Sequence, residues 1–175
     1  MNILCYGDSN TFGWDPRSFF GGRYDEPWPE LLSKLSGFRV RADAACGREI
    51  PKKAVAFPKD TELLILMLGT NDLLQGACAE EAALRMAHFL TDIDVPEVLL
   101  IAPPPLCRGE WVPDEGLIAR SRALAAEYGQ LAESRRIRFL DAGDWGIPLA
   151  FDGVHFTEEG HRIFAKNVKE ALFHA

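Results

Sequence analysis

Three short polar segments carry the residue types that a serine nucleophile and its partners require. They are Gly7-Asp8-Ser9-Asn10, Gly69-Thr70-Asn71-Asp72 and Asp152-Gly153-Val154-His155. A serine hydroxyl is a weak nucleophile and needs a neighbouring base, and a histidine with an ordinary pKa of about 6.5 suits neutral pH. The short spacing from Asp152 to His155 lets the carboxylate fold back onto the imidazole and orient it. Together these residue types indicate acyl transfer from an ester.

Acyl transfer also needs fixed hydrogen-bond donors for the negative charge that develops on the carbonyl oxygen. The N–H of Ser9, a glycine N–H and the side-chain amide of Asn71 could supply them. Taken singly, each segment also has a structural interpretation: a helix N-cap, an asparagine bonded to its own turn, and an ion pair that caps the last helix. The order of the segments and their places after strands favour the catalytic interpretation.

Apolar runs that alternate with helical patterns predict the elements that position these residues. The predicted strands are Ile3–Tyr6, Phe38–Ala42, Glu62–Leu68, Glu97–Ala102 and Ile137–Leu140. Apolar residues at helical spacing predict helices over Glu80–Leu90 and Gly116–Ser134, and a last helix that Thr157 caps. The unbroken apolar run in the third strand indicates that both of its faces are covered. This alternation predicts a parallel α/β sheet with helices on both sides.

The polar segments stand at the ends of the predicted strands. Ser9 follows the first strand and Asn71 follows the third, and the carboxyl ends of parallel strands share one edge of a doubly wound sheet. We therefore expect Ser9 and Asn71 to be neighbours in space. Two loop-rich segments, Trp14–Pro29 and Pro103–Gly116, are expected near the same face, because loops at such edges commonly carry binding residues.

The composition argues against several other classes of protein. The 175 residues carry a formal net charge of -7 at pH 7, so the sequence lacks the basic footprint of a nucleic-acid-binding protein, and an acidic membrane surface is an unfavourable partner. No apolar run is long enough to span a membrane, and we expect no secretory leader before the first strand. The four cysteines lack a Cys-x-x-Cys spacing and are expected to be free thiols. These features predict a cytoplasmic protein.

In this order, the three segments resemble the sequence blocks of the SGNH hydrolases, also called the GDSL esterase/lipase family. They correspond to the first, third and last blocks of that family, over residues 7–10, 69–72 and 152–156. The second block corresponds to residues 43–48, where Asp43 and Ala45 replace the usual asparagine and glycine and Gly47 matches the glycine of the oxyanion hole. Residues 12–14, 102–106 and 141–143 are similar to those of bacterial arylesterases and acyltransferases.

This resemblance implies a fold, an activity and a role for each site residue. The implied fold is one domain over residues 1–175, a three-layer α/β/α sandwich with a five-stranded parallel sheet of the flavodoxin-like type. The implied enzyme is a serine esterase for small or short-chain acyl esters, with transfer to another alcohol as a variant of the reaction. No metal or organic cofactor is implied. The implied roles are Ser9 as nucleophile, His155 as base and then acid, Asp152 as its orienting carboxylate, and Ser9 N–H, Gly47 N–H and Asn71 as the oxyanion hole.

Two other functions stay open at this point. An O-deacetylase of a carbohydrate or another natural product is the alternative within the family. A catalytically silent binding module on the same scaffold is the alternative outside the enzymes. The predicted partner is a small-molecule ester, and the resemblance leaves room for a homo-oligomer, in which Trp111 on a loop is a candidate interface residue.

Four further side chains have predicted places. Trp14 and Asp8 are candidate substrate-binding residues, with core packing as the alternative for Trp14, since aromatic side chains line ligand clefts as well as cores. His161, within the last helix, is expected on the surface. Cys46 adjoins Gly47 and is expected to serve packing.

Overall fold

A five-stranded parallel sheet forms the centre of the computed structural model, which describes residues 1–18 and 20–174. Its strands are β1 (Asn2–Gly7), β2 (Arg39–Ala44), β3 (Leu63–Met67), β4 (Glu97–Ala102) and β5 (Arg138–Asp141). They lie in the order β2-β1-β3-β4-β5, and every neighbouring pair is parallel. This is the flavodoxin-like order. The five predicted strands are confirmed, with ends that shift by two residues at most.

Helices cover both faces of the sheet, which confirms the predicted three-layer sandwich. They are α1 (Ser9–Phe12), α2 (Trp28–Ser36), α3 (Thr70–Leu74), α4 (Ala79–Thr91), α5 (Glu115–Arg135) and α6 (Glu158–Phe173). The pair α2 and α6 packs on one face, and the pair α4 and α5 packs on the other. In the part of the chain that is described, none of the helices has the length and apolar character of a membrane span.

Strand β3 shows why the apolar run is unbroken. Leu64 and Leu66 point into the core beneath α4 and α5, whereas Leu63, Ile65 and Met67 point into the core beneath α2 and α6. All five side chains are at most 1% exposed. Since full burial of such a side chain contributes roughly 1.5–3 kcal/mol, this strand is a main source of the stability of both cores. The prediction that both faces are covered is confirmed.

Helix α2 was not predicted, and it shortens the predicted loop Trp14–Pro29. The helix begins at Trp28, with Pro29 in its first turn, and ends before Gly37, whose φ is +72°. Proline is tolerated in the first turn because the N–H groups there have no partner within the helix. Trp28 and Leu32 lie four residues apart on the buried face. The prolines on either side of Trp28 make this stretch look like loop in the sequence, but burial of the face that carries Trp28 and Leu32 makes it helical.

His161 is buried, so the prediction that it lies on the surface is wrong. Its Nδ1 accepts a hydrogen bond from the backbone N–H of Trp28 at 3.3 Å, and its ring packs against Tyr24 and Phe156. Burial lowers its pKa to about 3, so the imidazole is neutral and acts as an acceptor. It lies three residues before Phe164, on the inner face of α6. His161 therefore joins α6 to the start of α2.

The carboxyl ends of β2, β1 and β3 finish level with one another. In the register of the sheet, Gly7 pairs with Ala44 on one side and with Met67 on the other. The chain leaves β1 towards β2 on one side, and β3 lies on its other side, so the strand order reverses at β1. Open α/β sheets form their ligand crevice at such a point.

Candidate active site

Ser9, His155 and Asp152 meet at this crevice in one chain of hydrogen bonds. The Nε2 of His155 lies 3.0 Å from the Oγ of Ser9, and its Nδ1 lies 2.6 Å from the Oδ2 of Asp152. The three residues are at most 6% exposed. A carboxylate only accepts hydrogen bonds, so Nδ1 carries the ring proton and Nε2 is left to accept the proton of the serine hydroxyl. The structure thus brings the three predicted residues together in the order serine, imidazole, carboxylate.

The position of Ser9 follows from the tight turn between β1 and α1. A Cβ at Gly7 would lie 2.0 Å from the Oγ1 of Thr11, so only glycine fits at the end of the strand. The Oδ1 of Asp8 accepts the backbone N–H of Asn10 at 2.9 Å and caps the helix. The N-cap is therefore Asp8, and Ser9 is the first helical residue, with its hydroxyl at the sheet edge.

Asp8 lies beneath the site and does not line its cavity. It is 1% exposed, and burial raises the pKa of its carboxyl to about 6, although its hydrogen bond with the backbone of Asn10 and its electrostatic interactions with His155 and Arg48 lower it in part. The predicted contact of Asp8 with substrate therefore finds no support in its position, and the role that the structure gives it is the helix cap.

Asn10 clamps the segment that carries the histidine. Its Nδ2 donates to the carbonyl of Val154 at 3.1 Å, and its Oδ1 accepts the N–H of Phe156 at 2.8 Å. The two bonds grip the backbone immediately before and after His155, while Ser9 immediately precedes Asn10. Sequence reasoning placed Asn10 in the first polar segment and assigned it no role. Its only signal was that position beside the serine.

Asp152 organises its own loop as well as the imidazole. Its Oδ1 accepts the backbone N–H groups of Val154 at 2.9 Å and of His155 at 3.0 Å. Burial alone would raise the pKa of this carboxyl, but the hydrogen bonds from His155 and from the backbone outweigh it and lower the pKa. Asp152 therefore stays ionised at neutral pH, as an orienting acceptor must.

The loop after β4 packs against this aspartate–histidine segment through main-chain groups. The N–H groups of Cys107, Glu110 and Trp111 donate to the carbonyls of Gly153, Phe151 and Asp152, at 3.0–3.1 Å. A Cβ at Gly109 would lie 2.4 Å from the backbone of Asp152 and Gly153. The two segments are thus in direct backbone contact, and glycine at position 109 allows it.

Gly47 lies in a turn that is held by a hydrogen bond from the predicted Asn71. Gly47 has a φ of +74°, a conformation that favours glycine. The carbonyl of the next residue, Arg48, accepts the Nδ2 of Asn71 at 3.0 Å. An amide nitrogen has two hydrogens, so this bond leaves one of them for another acceptor. Asn71 and Gly47 are therefore neighbours, and both line the same cavity as Ser9.

Asp72 holds the same segment one step further along and was missed by sequence reasoning. Its Oδ2 accepts the N–H of Ile50 at 3.0 Å, and its Oδ1 accepts Nη1 of Arg85 at 2.8 Å. Its side chain is fully buried. Asp72 stands beside Asn71 in the second polar segment, but nothing in the spacing of these residues indicates the two bonds.

A cavity of about 320 Å³ with mostly apolar walls lies above Ser9. The cavity is lined by Ser9 and by four other predicted site residues, which are Trp14, Gly47, Asn71 and His155. Cys46 also lines it and is exposed, so its predicted packing role is not what the structure shows. The lining residues that sequence reasoning did not assign to the site are Leu74, Trp111 and Val154.

The chain is similar to known proteins in both sequence and fold. A family model described as GDSL-like Lipase/Acylhydrolase family matches residues 5–163. A comparison with curated proteins finds no significant match.

Among solved structures, an aryl esterase from M. smegmatis is 26% identical, with a TM-score of 0.81 over 99% of this chain and 98% of that chain. A carbohydrate acetylesterase family member from Sinorhizobium meliloti is 26% identical, with a TM-score of 0.79 over 98% of this chain and 96% of that chain. A member of the lipolytic protein G-D-S-L family from Veillonella parvula DSM 2008 is 23% identical over the whole of both chains, with a TM-score of 0.74, and at that identity shares the fold.

We predict that the Asp8→Asn variant becomes more stable relative to the wild type as pH rises, as measured by the free energy of unfolding. The raised pKa of Asp8, about 6 against 3.8, means that this group favours folding at low pH and costs stability as pH rises through about 6. Asparagine keeps the cap without the charge. The free energy of unfolding of the variant minus that of the wild type, measured by urea unfolding, should increase by roughly 1–3 kcal/mol between about pH 4.5 and about pH 8. The control is Asp144→Asn, an exposed position. An equal difference at both pH values would contradict the assigned burial cost.

We predict that Gly109→Ala destabilises the protein by about 1–3 kcal/mol, because its Cβ meets backbone that cannot turn aside. The matched control is Gly129→Ala in the interior of α5, where the new Cβ would meet the Phe139 ring at an ordinary 3.4 Å. Alanine is the better helix former, so this control should be neutral or more stable by about 0.5–1 kcal/mol. Urea unfolding of both variants measures the difference, and equal stabilities would show that the contact at residue 109 is not a constraint.

Proposed function

Because this chain belongs to the GDSL-like lipase/acylhydrolase family and is an enzyme that cleaves esters, we propose that Ser9, His155 and Asp152 carry out the cleavage through an acyl-enzyme. The observation that carries this proposal is the buried chain of hydrogen bonds from Ser9 Oγ through the imidazole to Asp152, at 3.0 and 2.6 Å. A hydroxyl paired in this way to an oriented base has the arrangement of an activated nucleophile.

The first half of the reaction uses the histidine twice. Ser9 Oγ attacks the ester carbonyl carbon as its proton passes to Nε2 of His155. The tetrahedral intermediate then collapses, the bond to the alcohol oxygen breaks, and Nε2 returns the proton to that oxygen. Asp152 remains a carboxylate and stabilises the imidazolium that exists between the two transfers, which its lowered pKa supports.

The second half repeats these steps with water. Water gives a proton to Nε2 and attacks the acyl-enzyme, and the acid leaves as Ser9 regains its proton. An alcohol in place of water would give transfer to a new ester, the variant that the resemblance to acyltransferases implies. Ser9 is buried, at 6% exposed, and lines the cavity that would hold either acceptor.

We assign stabilisation of the oxyanion to Ser9 N–H, Gly47 N–H and the free amide hydrogen of Asn71. The N–H of Ser9 is in the first turn of α1, where backbone donors have no partner within the helix. Gly47 and Asn71 line the same cavity as Ser9 and are tied to each other through the carbonyl of Arg48. Loss of one such donor typically costs about 10²–10³-fold in turnover.

The cavity supports a small acyl group as the substrate. Its volume of about 320 Å³ has apolar walls, and the polar groups that line it are those of the site itself and Cys46. At about 320 Å³ the cavity is at the small end of the range for ligand pockets, about 300–1,000 Å³, and it has to hold the acyl and alcohol parts of the ester together, which favours short acyl chains. We therefore place the preference at short-chain esters.

A carbohydrate O-deacetylase is the second candidate. The similarity to the carbohydrate acetylesterase family member from S. meliloti favours it, at 26% identity over nearly the full length of both chains. Both candidates use the same serine and the same acetyl pocket, and they differ in the alcohol. Acetate release from acetylated sugars, measured beside the hydrolysis of p-nitrophenyl acetate, separates them.

The location and assembly of the protein remain predictions. The four cysteines are unpaired in the structure, which supports the proposed cytoplasmic location. A homo-oligomer is retained as a proposal for sedimentation analysis to test, but Trp111 lines the cavity above Ser9, so this residue does not need an interface to explain it.

We predict that Ser9→Ala lowers kcat for p-nitrophenyl acetate by about 10³-fold or more, since the nucleophile is lost while the other groups stay. A fluorophosphonate probe should label the wild type and leave the variant unlabelled. The control Ser134→Ala removes an exposed hydroxyl on α5 and should keep wild-type activity and labelling. Circular dichroism checks that both variants fold. A Ser9→Ala enzyme with wild-type turnover would rule out Ser9 as the nucleophile.

We predict that kcat/KM for p-nitrophenyl esters falls by about 10-fold or more from acetate or butyrate to octanoate. Each buried methylene would add about 0.8 kcal/mol of binding if the cavity had room for it, so a cavity that a short ester already fills would reverse the trend that a long groove gives. Leu74→Ala removes one apolar wall and should move the optimum to longer chains. A rise in kcat/KM through octanoate in the wild type would contradict a short acyl pocket.

A further inference from the structure

Building on the proposed function, we propose that Trp111 determines specificity for the leaving alcohol, by offering one face of its indole to a ring-shaped group on the leaving oxygen. Trp111 lies in the loop between β4 and α5 and lines the cavity above Ser9. Its side chain is a specificity element for acylation, and it takes no part in proton transfer.

The indole lies against the imidazole that handles the proton. The ring centroids of Trp111 and His155 are 5.2 Å apart at an interplanar angle of 81°, an edge-to-face contact. His155 is 3% exposed, whereas Trp111 is 53% exposed. The indole therefore covers the imidazole with one part and leaves another part uncovered at the mouth of the cavity.

The mechanism places the alcohol on this side of the cavity. Nε2 of His155 must return its proton to the leaving oxygen, so that oxygen lies within hydrogen-bond reach of the imidazole. The group attached to the leaving oxygen then extends past the imidazole, where Trp111 and the more distant Trp14, at 6.4 Å from the imidazole ring, are the aromatic neighbours.

Backbone hydrogen bonds hold the main chain that carries the indole, and the indole ring itself packs on the imidazole of His155. The backbone N–H of Trp111 donates to the carbonyl of Asp152 at 3.0 Å, and the backbone N–H of the preceding residue, Glu110, donates to the carbonyl of Phe151 at 3.1 Å. The backbone that carries the indole is thus bonded to the segment that carries the base. A fixed aromatic surface loses little conformational entropy on binding a ring, which makes stacking effective.

The chemistry that fits this surface is a flat ring bonded to the ester oxygen. An aryl ring stacks by its π face, and a sugar ring stacks by its face of C–H groups. A short aliphatic alcohol does neither. Stacking of two aromatic rings is expected to change kcat/KM by about 3- to 10-fold. The effect falls on acylation, because every acetate ester gives the same acetyl-enzyme once its alcohol has left.

The test compares kcat/KM for phenyl acetate, an acetylated methyl glycoside and ethyl acetate in the wild type, Trp111→Ala and Trp111→Phe. Trp111→Ala should lower the ratio of phenyl acetate to ethyl acetate by about 3- to 10-fold, and Trp111→Phe should restore most of it. The control Phe173→Ala removes an equally exposed aromatic at the end of α6 and should leave the ratio unchanged. Circular dichroism and fluorophosphonate labelling check the fold and the nucleophile.

Each outcome decides the proposal. A ratio that falls for the phenyl ester, for the glycoside or for both supports Trp111 as the ring-binding surface and identifies the ring. An equal loss on all three esters would show that Trp111 only positions His155, and an unchanged ratio would show no contact with the alcohol; both overturn the proposal. A wild type that cleaves none of the esters would instead refute the proposed function, so the two failures are distinct.

Discussion

The side chain of Asn10 makes the connection on which the site depends. Its two hydrogen bonds reach the backbone on either side of His155, 144 and 146 residues along the chain. Ser9 is its neighbour in sequence, so a single amide group sets the distance between hydroxyl and imidazole. Both bonds are buried, and a buried amide that lost either partner would carry an unpaired polar group, which costs about 1–3 kcal/mol. The catalytic geometry is thus part of the folded core.

In the other half of the site, two consecutive side chains likewise hold a distant backbone segment through hydrogen bonds. Asn71 and Asp72 are consecutive, and they hold the carbonyl of Arg48 and the N–H of Ile50, two residues apart. The turn with Gly47 precedes this segment, and the N–H of Ala45 and the Nη1 of Arg48 also bond it directly to the carbonyl of Gly7 in β1. Polar bonds, and not apolar packing, determine where the turn lies, since Gly47 itself is exposed and touches nothing that would confine a side chain.

The sequence was sufficient for the sheet and for the residues at its edge, and insufficient for what packs around them. The strands could be predicted because apolar runs such as Leu63–Met67 have no other stable place than a doubly covered sheet. The proximity of Ser9 and Asn71 then followed from the shared edge. The burial of His161 and the place of Trp111 beside the imidazole could not be predicted, because distant segments build these surroundings. The backbone of Trp28 bonds to His161, and the backbone of Asp152 bonds to Trp111. Helix α2 escaped prediction because two prolines and a tryptophan resemble loop until the core that buries them is known.

The contact between the loop after β4 and the segment Phe151–Gly153 has an evolutionary consequence. Its bonds run from main-chain N–H groups to main-chain carbonyls, so they survive replacement of the side chains at positions 107, 110 and 111. Gly109 is the exception, because any larger residue would separate the two backbones. A loop of this kind can drift in sequence around one invariant position while its path stays the same. It is therefore the natural segment to randomise when this scaffold is to be evolved towards new alcohols, with residue 109 left untouched.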